Sequence, residues 1–178
     1  MDKIVDYSLT HKKNAAVILI SIAALMSLMG FSLYRYFDIG FLSPLEIFTE
    51  LLLILVLAER AQAKILCEID KKVFRITKKS LFGTKVYEVP YRSVLGVYRY
   101  APKLISTVKF RNTYRLHSAL DPRIVWTLAY QEKKGEKTVN KRIYFKAGEY
   151  FLEALNERLP NKVRIPEEQV VRDIILNK

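Results

Sequence analysis

The sequence is poor in residues that build metal and catalytic sites, with one cysteine and two histidines among 178 residues. Because Cys67 stands alone, the chain can form neither an internal disulfide nor a thiolate metal cluster. His11 lies in a polar N-terminal segment and His117 in a long predicted loop, which leaves no histidine pair for metal binding or acid–base catalysis. A phosphate-binding glycine loop, a dinucleotide fingerprint and a nucleophile elbow are also absent from the sequence. The sequence therefore predicts a protein that is not an enzyme and that holds no cofactor or metal.

Acidic residues are scarce in the middle of the chain. Residues 71–146 contain 19 Lys and Arg against 4 Asp and Glu, and the whole chain has a formal net charge of +12. Such a field concentrates anions, including lipid headgroups, nucleotides and nucleic acid. No motif for RNA or DNA binding accompanies the charge, so no specific nucleic acid is expected.

One long apolar run is present. Residues 15–34 carry no charge, and twenty helical residues extend about 30 Å, the thickness of the hydrocarbon core of a bilayer. A second apolar segment runs from Phe41 or Leu45 to Ala58, after a link that is rich in aromatic residues. Together they predict a two-helix transmembrane hairpin over residues 15–62.

The charges that flank this hairpin predict its orientation. Lys12 and Lys13 precede it, at the end of a polar tail formed by residues 1–14, and Arg60 and Lys64 follow it. Basic residues stay on the cytoplasmic side of a membrane. The sequence therefore predicts a two-span protein of the cell inner membrane with both termini in the cytoplasm.

Polar and small residues within the hairpin predict how its helices pack. Small side chains on one face of the first helix predict a packing seam with the second, namely Ala16, Ala23, Ser27 and Gly30. Glu46 and Glu50 lie one turn apart on the second helix, and a carboxylate as deep as Glu50 is costly in lipid. Glu50 is interpreted either as part of a polar seam or conduction path in an oligomer, or as a hydrogen-bond partner of Ser21 or Ser27, or as a sign that the second span begins later in the chain.

From Ile65 onward, short alternating runs separated by turn residues indicate antiparallel strands. The predicted strands are 65–69, 73–79, 85–90, 94–100, 104–111, 124–131 and 138–146. An amphipathic helix is predicted at 148–159, with Phe151, Leu152 and Leu155 on its apolar side. A short helix is predicted to begin at Pro166 within the last segment, residues 161–178.

This order of segments resembles the pleckstrin-homology-like fold, and in particular a bacterial family in which such a domain follows a membrane hairpin. The resemblance covers about residues 65–159. It rests on the Gly83 turn, on the segment Tyr-Glu-Val-Pro-Tyr-Arg-Ser-Val at 87–94, and on the helix segment at 150–155. It implies an α+β domain over residues 63–160, a seven-stranded antiparallel curled sheet or barrel closed by the C-terminal helix.

The resemblance does not imply a ligand, because this fold hosts many roles. Classical phosphoinositide-binding members carry a spaced Lys/Arg-x-Arg pattern at the first hairpin. Here residues 71–75 read Lys-Lys-Val-Phe-Arg, which departs from that pattern. Specific phosphoinositide recognition is therefore not expected.

Strand parity divides the basic residues between two ends of the predicted sheet. If the first strand rises from the membrane, successive turns alternate between the near end, toward the membrane, and the far end. Seven lysines are predicted at the near end, facing anionic lipid: Lys78, Lys79, Lys85, Lys103, Lys133, Lys134 and Lys137. Six residues are predicted at the far end as a site for a protein or a small anionic ligand: Arg92, Arg111, Tyr114, Arg115, His117 and Arg123.

These patterns support two functional hypotheses. The first is a membrane-anchored binding or scaffold module, in a homo-oligomer or with a membrane-protein partner, whose basic face contacts the anionic inner leaflet. The alternative is a ligand-gated effector of an anti-phage system, in which a cyclic nucleotide binds the barrel and the transmembrane helices oligomerise to disrupt the membrane. A third hypothesis makes the chain a subunit of a larger complex, docked through the apolar side of residues 170–175.

Overall fold

The computed structural model describes residues 3–41, 43–102, 108, 110–135 and 137–176. Within these ranges the protein is α+β, with a helix pair, two four-stranded sheets and C-terminal helices. The helices are α1 (Lys12–Ile39), α2 (Pro44–Gln62), α3 (Glu149–Arg158) and α4 (Glu167–Leu176). The strands are β1 (Ile4–Tyr7), β2 (Lys64–Ile69), β3 (Val73–Ser80), β4 (Gly83–Pro90), β5 (Val94–Arg99), β6 (Asn112–Arg115), β7 (Val125–Lys134) and β8 (Lys137–Lys146).

Helices α1 and α2 form an antiparallel pair, called here the hairpin. Helix α1 ends at Gly40, whose positive φ of 67° suits a glycine and whose N–H bonds to the oxygen of Tyr36. Helix α2 begins with Pro44 at its first position, where the missing N–H costs no hydrogen bond. Because α2 begins soon after α1 ends, the chain reverses direction and the two helices lie side by side.

The two helices differ in how well they suit a membrane. Within the described residues, α1 alone is long and apolar enough to cross a bilayer by length and composition. Helix α2 carries three glutamates and an arginine within its 19 residues, and so does not meet the same criterion. Of the two spans that the sequence predicts, the structure therefore supports the first.

The predicted packing seam on α1 is wrong. Its four small residues, Ala16, Ala23, Ser27 and Gly30, are all exposed, and nothing lies within 4 Å of a Cβ built on Gly30. The half-buried face of α1 instead carries larger residues such as Ile18, Leu25 and Met29, followed by the buried Ser32. This face of α1 packs against α2 because Ser32 forms a polar contact with α2 and because the larger side chains provide more bulk for packing.

The first sheet has the strand order β1-β2-β3-β4 and is antiparallel throughout. Its three later strands match predicted strands, but β1 lies in the segment that the sequence analysis treats as a tail. Strand β1 pairs with β2 from Ile4 opposite Ile69 to Tyr7 opposite Leu66. The chain thus enters the hairpin from one strand and returns from it into the neighbouring strand.

The second sheet has the order β5-β7-β8-β6, in which β6 runs parallel to β8. The prediction of an all-antiparallel sheet is therefore wrong. Of the strand predicted at 104–111, residues 108, 110 and 111 are described and lie outside the named strands, and the rest lies outside the described residues. Strand β6 instead occupies part of the predicted far loop. No strand pairing joins the two sheets in the described part of the chain, so the predicted closed barrel is not found.

The main core lies between the two sheets. Phe74 of the first sheet packs against Phe145 of the second, with ring centroids 5.2 Å apart, and against Phe151 of α3 at 6.1 Å. Helix α3 thus closes one opening between the sheets, as the sequence predicts. Cys67 is buried in the same core. The two sheets with α3 and α4 are called the head below.

Helix α4 covers the outer face of the second sheet. Its Val170 and Ile174 are fully buried against Tyr98 and its neighbours. The fit is close at Gly96, where an added Cβ would lie 2.5 Å from Cδ1 of Ile165 and 2.7 Å from Cγ2 of Val170. The apolar side that the third hypothesis assigns to docking is therefore largely used within the chain.

Candidate functional site

The hairpin defines the near end of the first sheet. Strand β2 begins at Lys64, directly after the end of α2, and Lys64 lies opposite Lys79 at the end of β3. The β3–β4 turn follows at this end, and Lys78 binds Glu59 of α2 at 2.8 Å. The opposite end of the sheet, where Val73 pairs with Pro90, is the far end.

The residues that line two cavities show which parts of the second sheet lie at the near end and which lie at the far end. One cavity is lined by α2 together with Tyr100, Val125 and Tyr144, which places these residues at the near end. The other is lined by Val73 and Pro90 together with residues 130–133 and Thr138, which places the β7–β8 turn at the far end.

The predicted placement of the lysines is correct for three and wrong for three. Those at the near end are Lys78, Lys79 and Lys85. Lys133, Lys134 and Lys137 lie at the far end, where β7 turns into β8. Lys103 lies outside the described residues.

The error arises from one unpredicted strand. Strand β6 is parallel to β8, which runs from the far end at Lys137 to the near end at Lys146. Residues 112–115 therefore carry the chain back to the near end, where the prediction placed a far loop. Every later turn is displaced to the opposite end, because strand parity reverses when a strand is missed.

The six residues predicted as one far-end site do not come together. Arg92 lies at the far end, Arg111 and Tyr114 lie along the edge formed by β6, and Arg115, His117 and Arg123 lie at the near end. Tyr114 is half-buried in the core, with its ring centroid 5.1 Å from that of Tyr87. It contributes packing, which the sequence pattern could not distinguish from stacking on a ligand.

Arg123 is held within the fold. Its guanidinium donates to both carboxylate oxygens of Asp121, to those of Asp6 at 2.7 and 3.0 Å, and to the backbone oxygen of Tyr7 at 2.8 Å. The N–H of Gly148, at the start of α3, also donates to Asp6 at 3.0 Å. Burial raises the pKa of Asp121, but the hydrogen bonds from Arg123 outweigh this and leave the pKa below its ordinary value. The cluster ties β1, the loop before β7 and α3 together.

A cavity of about 510 Å³, called here the near cavity, opens where α2 meets the head. One wall is apolar and is formed by Leu55, Val56 and Phe82. The polar part of the lining is formed by Arg60, one turn beyond Val56 on α2, and by Arg115, His117, Tyr100 and Tyr144 of the head. Glu59 is the acidic group in the described lining, and Lys78 neutralises it. The near cavity is thus amphiphilic, with a basic side.

The basic groups of the near cavity are available to a ligand. The side chains of Arg60 and Arg115 form no ion pair or hydrogen bond with the described residues. The Nδ1 of His117 is buried and likewise has no hydrogen-bond partner among them. Burial, helped by the positive charges of Lys146, Arg115 and Arg60, lowers the pKa of His117, so its imidazole is neutral at pH 7.

Two apolar side chains project from the β3–β4 turn beside this cavity. Leu81 is 48% exposed and Phe82 67% exposed, and they lie between Lys79 and Lys85 in the sequence. Phe82 lines the near cavity with Leu55 and Val56 of α2. The turn therefore presents an apolar tip with flanking cations on the same side of the head as the hairpin.

The two glutamates predicted inside the hairpin have different surroundings. Glu46 accepts a hydrogen bond from Ser32 at 2.8 Å and pairs with Arg35 at 2.5 Å. Glu50 is buried, and its Oε2 has no hydrogen-bond partner within the described residues. Ser21 and Ser27, the predicted partners of Glu50, donate instead to backbone oxygens of their own helix.

A cavity of about 750 Å³ lies at the far end, between β4 and β7. It contains Arg92 and Lys133, whose side chains have no partner among the described residues. It also contains Glu88 and Glu132, which are paired with Arg75 and with Lys141. This far cavity is more polar than the near cavity and lies away from the hairpin.

Comparison of this chain with protein-family models, with curated proteins and with solved structures finds no match. The candidate site therefore rests on geometry alone. Sequence reasoning missed the apolar wall of the near cavity and treated Arg60 only as an orientation signal. One signal was available, namely the unusual Leu-Phe pair in a turn between lysines, where polar residues are expected.

Proposed function

We propose that the protein is a non-enzymatic binding module held at the inner membrane by its hairpin, with a head of pleckstrin-homology-like type. In this proposal both helices cross the bilayer, α2 as the antiparallel partner of α1, and both termini lie in the cytoplasm. The near end of the head faces anionic lipid, and the far end is free for a protein partner. The observation that carries the proposal is the exposed apolar surface of both helices.

That surface surrounds the hairpin. Large apolar side chains are exposed along α1, such as Leu19 and Phe31, and along α2, such as Phe48 and Leu51. In water this surface would be costly at about 25 cal/mol per Å² of apolar area. Lipid removes the cost, and the Glu46–Arg35 ion pair reduces the charge that α2 would bring into the bilayer.

The near end of the head is suited to a headgroup layer. Lys79 and Lys85 are exposed beside the Leu81–Phe82 tip, and each surface cation contributes about 1 kcal/mol of attraction to an anionic leaflet. An aromatic ring beside lysines is the composition that membrane interfaces favour. Electrostatic attraction of the lysines to the leaflet and partial insertion of the Leu81–Phe82 tip therefore both act on the β3–β4 turn.

Cysteine labelling tests the topology, because the native Cys67 is buried and will stay unreactive. Thr10→Cys and Tyr150→Cys should react with a membrane-impermeant maleimide from the cytoplasmic side only. Phe41→Cys, in the turn between the helices, should react from the opposite side only. If Tyr150→Cys and Phe41→Cys react from one side and Thr10→Cys reacts from the other, α2 does not cross the membrane and the two-span proposal fails. If all three react from the same side, neither helix crosses and the proposal also fails.

Paired charge removal tests the orientation of the head. In nanodiscs with anionic lipid, Lys79→Gln/Lys85→Gln should increase hydrogen exchange at the β3–β4 turn, because the turn leaves the surface more often. The matched control, Lys134→Gln/Lys137→Gln, removes the same charge at the far end and should leave that exchange unchanged. Equal effects of the two pairs would contradict a lipid-facing near end.

A second candidate function is the ligand-gated effector, and the far cavity favours it. Arg92 and Lys133 provide two cations in a space large enough for a cyclic dinucleotide. Cyclic di- and oligonucleotides should then raise the melting temperature of the full chain in detergent, and Arg92→Gln/Lys133→Gln should abolish the shift. No shift with any of them leaves the binding module as the function.

A further inference from the structure

We propose that the near cavity binds the headgroup of an anionic phospholipid, with an acyl chain lying along α2. The proposal rests on the membrane placement proposed above and adds a specific site to it. Three observations carry it: an apolar wall that continues into the hairpin, two unpaired guanidinium groups in the same lining, and the buried Nδ1 of His117 without a partner among the described residues.

The apolar wall fits an acyl chain. Leu55 and Val56 belong to the exposed apolar surface of α2, and Phe82 approaches them from the head. A chain that lies against these side chains remains within the hydrocarbon layer over its length. A soluble anion would leave the same wall in contact with water, so the lining favours an amphiphile.

The polar wall fits a phosphate group. Arg60 lies one helical turn beyond Val56, where α2 leaves its apolar run, and Arg115 faces the same space from β6. A guanidinium group binds phosphate oxygens with two parallel hydrogen bonds. Glu59 in the same lining is paired through Oε1 with Lys78, which offsets its charge, while its Oε2 has no hydrogen-bond partner among the described residues.

The unpartnered Nδ1 of His117 adds a hydrogen-bonding group to the same wall. A neutral imidazole nitrogen donates or accepts one hydrogen bond, so it can bind a phosphate oxygen or a glycerol hydroxyl. The cavity volume of about 510 Å³ accommodates a headgroup, while the acyl chains extend beyond it along the hairpin.

Native mass spectrometry of the full chain in neutral detergent tests the site, with phosphatidylglycerol as the probe. Arg60→Gln/Arg115→Gln should weaken binding roughly 30-fold, the effect expected from two interfacial cations. The matched control Lys134→Gln/Lys137→Gln should bind as the native chain does. Equal binding by both variants, or equal retention of phosphatidylcholine by the native chain, would overturn the proposal.

Two further measurements separate a lipid from a free phosphate and exclude a folding defect. Glycerol phosphate, which has the headgroup without the chains, should not displace the lipid at equal concentration; full displacement would overturn the lipid assignment. Val56→Trp fills the apolar side without changing charge, and this variant should bind the lipid more weakly than the native chain does. If this variant binds normally and the cysteine labelling above still gives two spans, the site fails while the proposed function stands.

Discussion

The head and the hairpin each bury a carboxylate, and they surround it differently. In the head, Asp121 is 1% exposed and is bound by the guanidinium of Arg123 and by the backbone N–H of Leu9 at 3.1 Å. In the hairpin, Glu50 is 9% exposed and one of its oxygens has no partner among the described residues. The head therefore uses its buried charge to join segments distant in sequence, whereas the hairpin gains no such bond from Glu50.

The same contrast holds for packing. In the head, Gly96 is in such close contact with Ile165 and Val170 that an added Cβ would force their side chains to shift. In the hairpin, Gly30 faces open space. A head folded in water must exclude solvent tightly, whereas the proposed placement of the helix pair in lipid would let acyl chains cover its outer surface. Five substitutions test this contrast, from the largest expected effect to the smallest.

Arg123→Gln should have the largest effect. It leaves Asp121 buried without its cation, and breaking a buried pair in this way costs about 3–5 kcal/mol of unfolding free energy. Denaturation of the head can be followed by the fluorescence of Trp126, the one tryptophan, which packs against the core. Arg92→Gln, at an exposed arginine, is the control, and similar midpoints for the two variants would show that the Arg123 cluster is not structural.

Gly96→Val should cost about 1–3 kcal/mol, because the added atoms displace Ile165 and Val170. Helix α4 should then exchange its amide hydrogens faster than α3, which packs elsewhere. Gly30→Val places the same change on the open face of α1 and should leave the head unaffected. If α4 stays protected in Gly96→Val, the close fit seen at this position does not hold the helix.

Glu46→Gln and Glu50→Gln compare the two acids of the hairpin directly. Glu46→Gln removes the partner of Arg35 and should destabilise the helix pair slightly, since the pair is partly exposed. Glu50→Gln should be neutral or stabilising, because it removes a charge with an unsatisfied oxygen. The stability of the helix pair in each variant is measured as the loss of helicity during titration with SDS. A larger loss for Glu50→Gln than for Glu46→Gln would indicate that the Glu50 carboxylate has a role in an assembly.

His117 should make a small pH-dependent contribution. Its pKa is below the ordinary value of about 6.5 because of burial and the charges of Lys146, Arg115 and Arg60. The unfolded chain therefore binds the proton more readily, and stability should fall as pH decreases from 7 through this ordinary value toward the lower pKa of the folded state. His117→Gln should flatten the dependence. An unchanged profile in His117→Gln would assign the dependence to other groups.

Local elements with a strong pattern could be predicted from the sequence. Strands β2, β3, β4, β5, β7 and β8 and helix α3 fall where alternation or helical periodicity places them. Strand β1 could not be predicted with the same ease, because Ile4–Tyr7 is short and owes its conformation to pairing with β2. Strand β6 was missed for a similar reason, since its parallel partner β8 lies more than 20 residues later.

The candidate site was harder to predict than the elements. Arg115, His117 and Arg123 look alike in the sequence as basic loop residues, yet the first two line the near cavity and the third is bound by Asp6 and Asp121. One missed strand exchanges the two ends of the sheet for every residue after it. Such an error leaves the predicted charge composition unchanged, but it makes the predicted position of each later charge wrong.

The pairing of β1 with β2 has a consequence for how the protein is made. During synthesis β1 emerges before β2, and residues 8–63, which include both helices, separate the two strands. If the hairpin enters a membrane as proposed above, β1 stays unpaired until both helices have been inserted. In that proposal the head closes after the hairpin is in place, and a bulky group attached before β1 should delay the last folding step rather than the first.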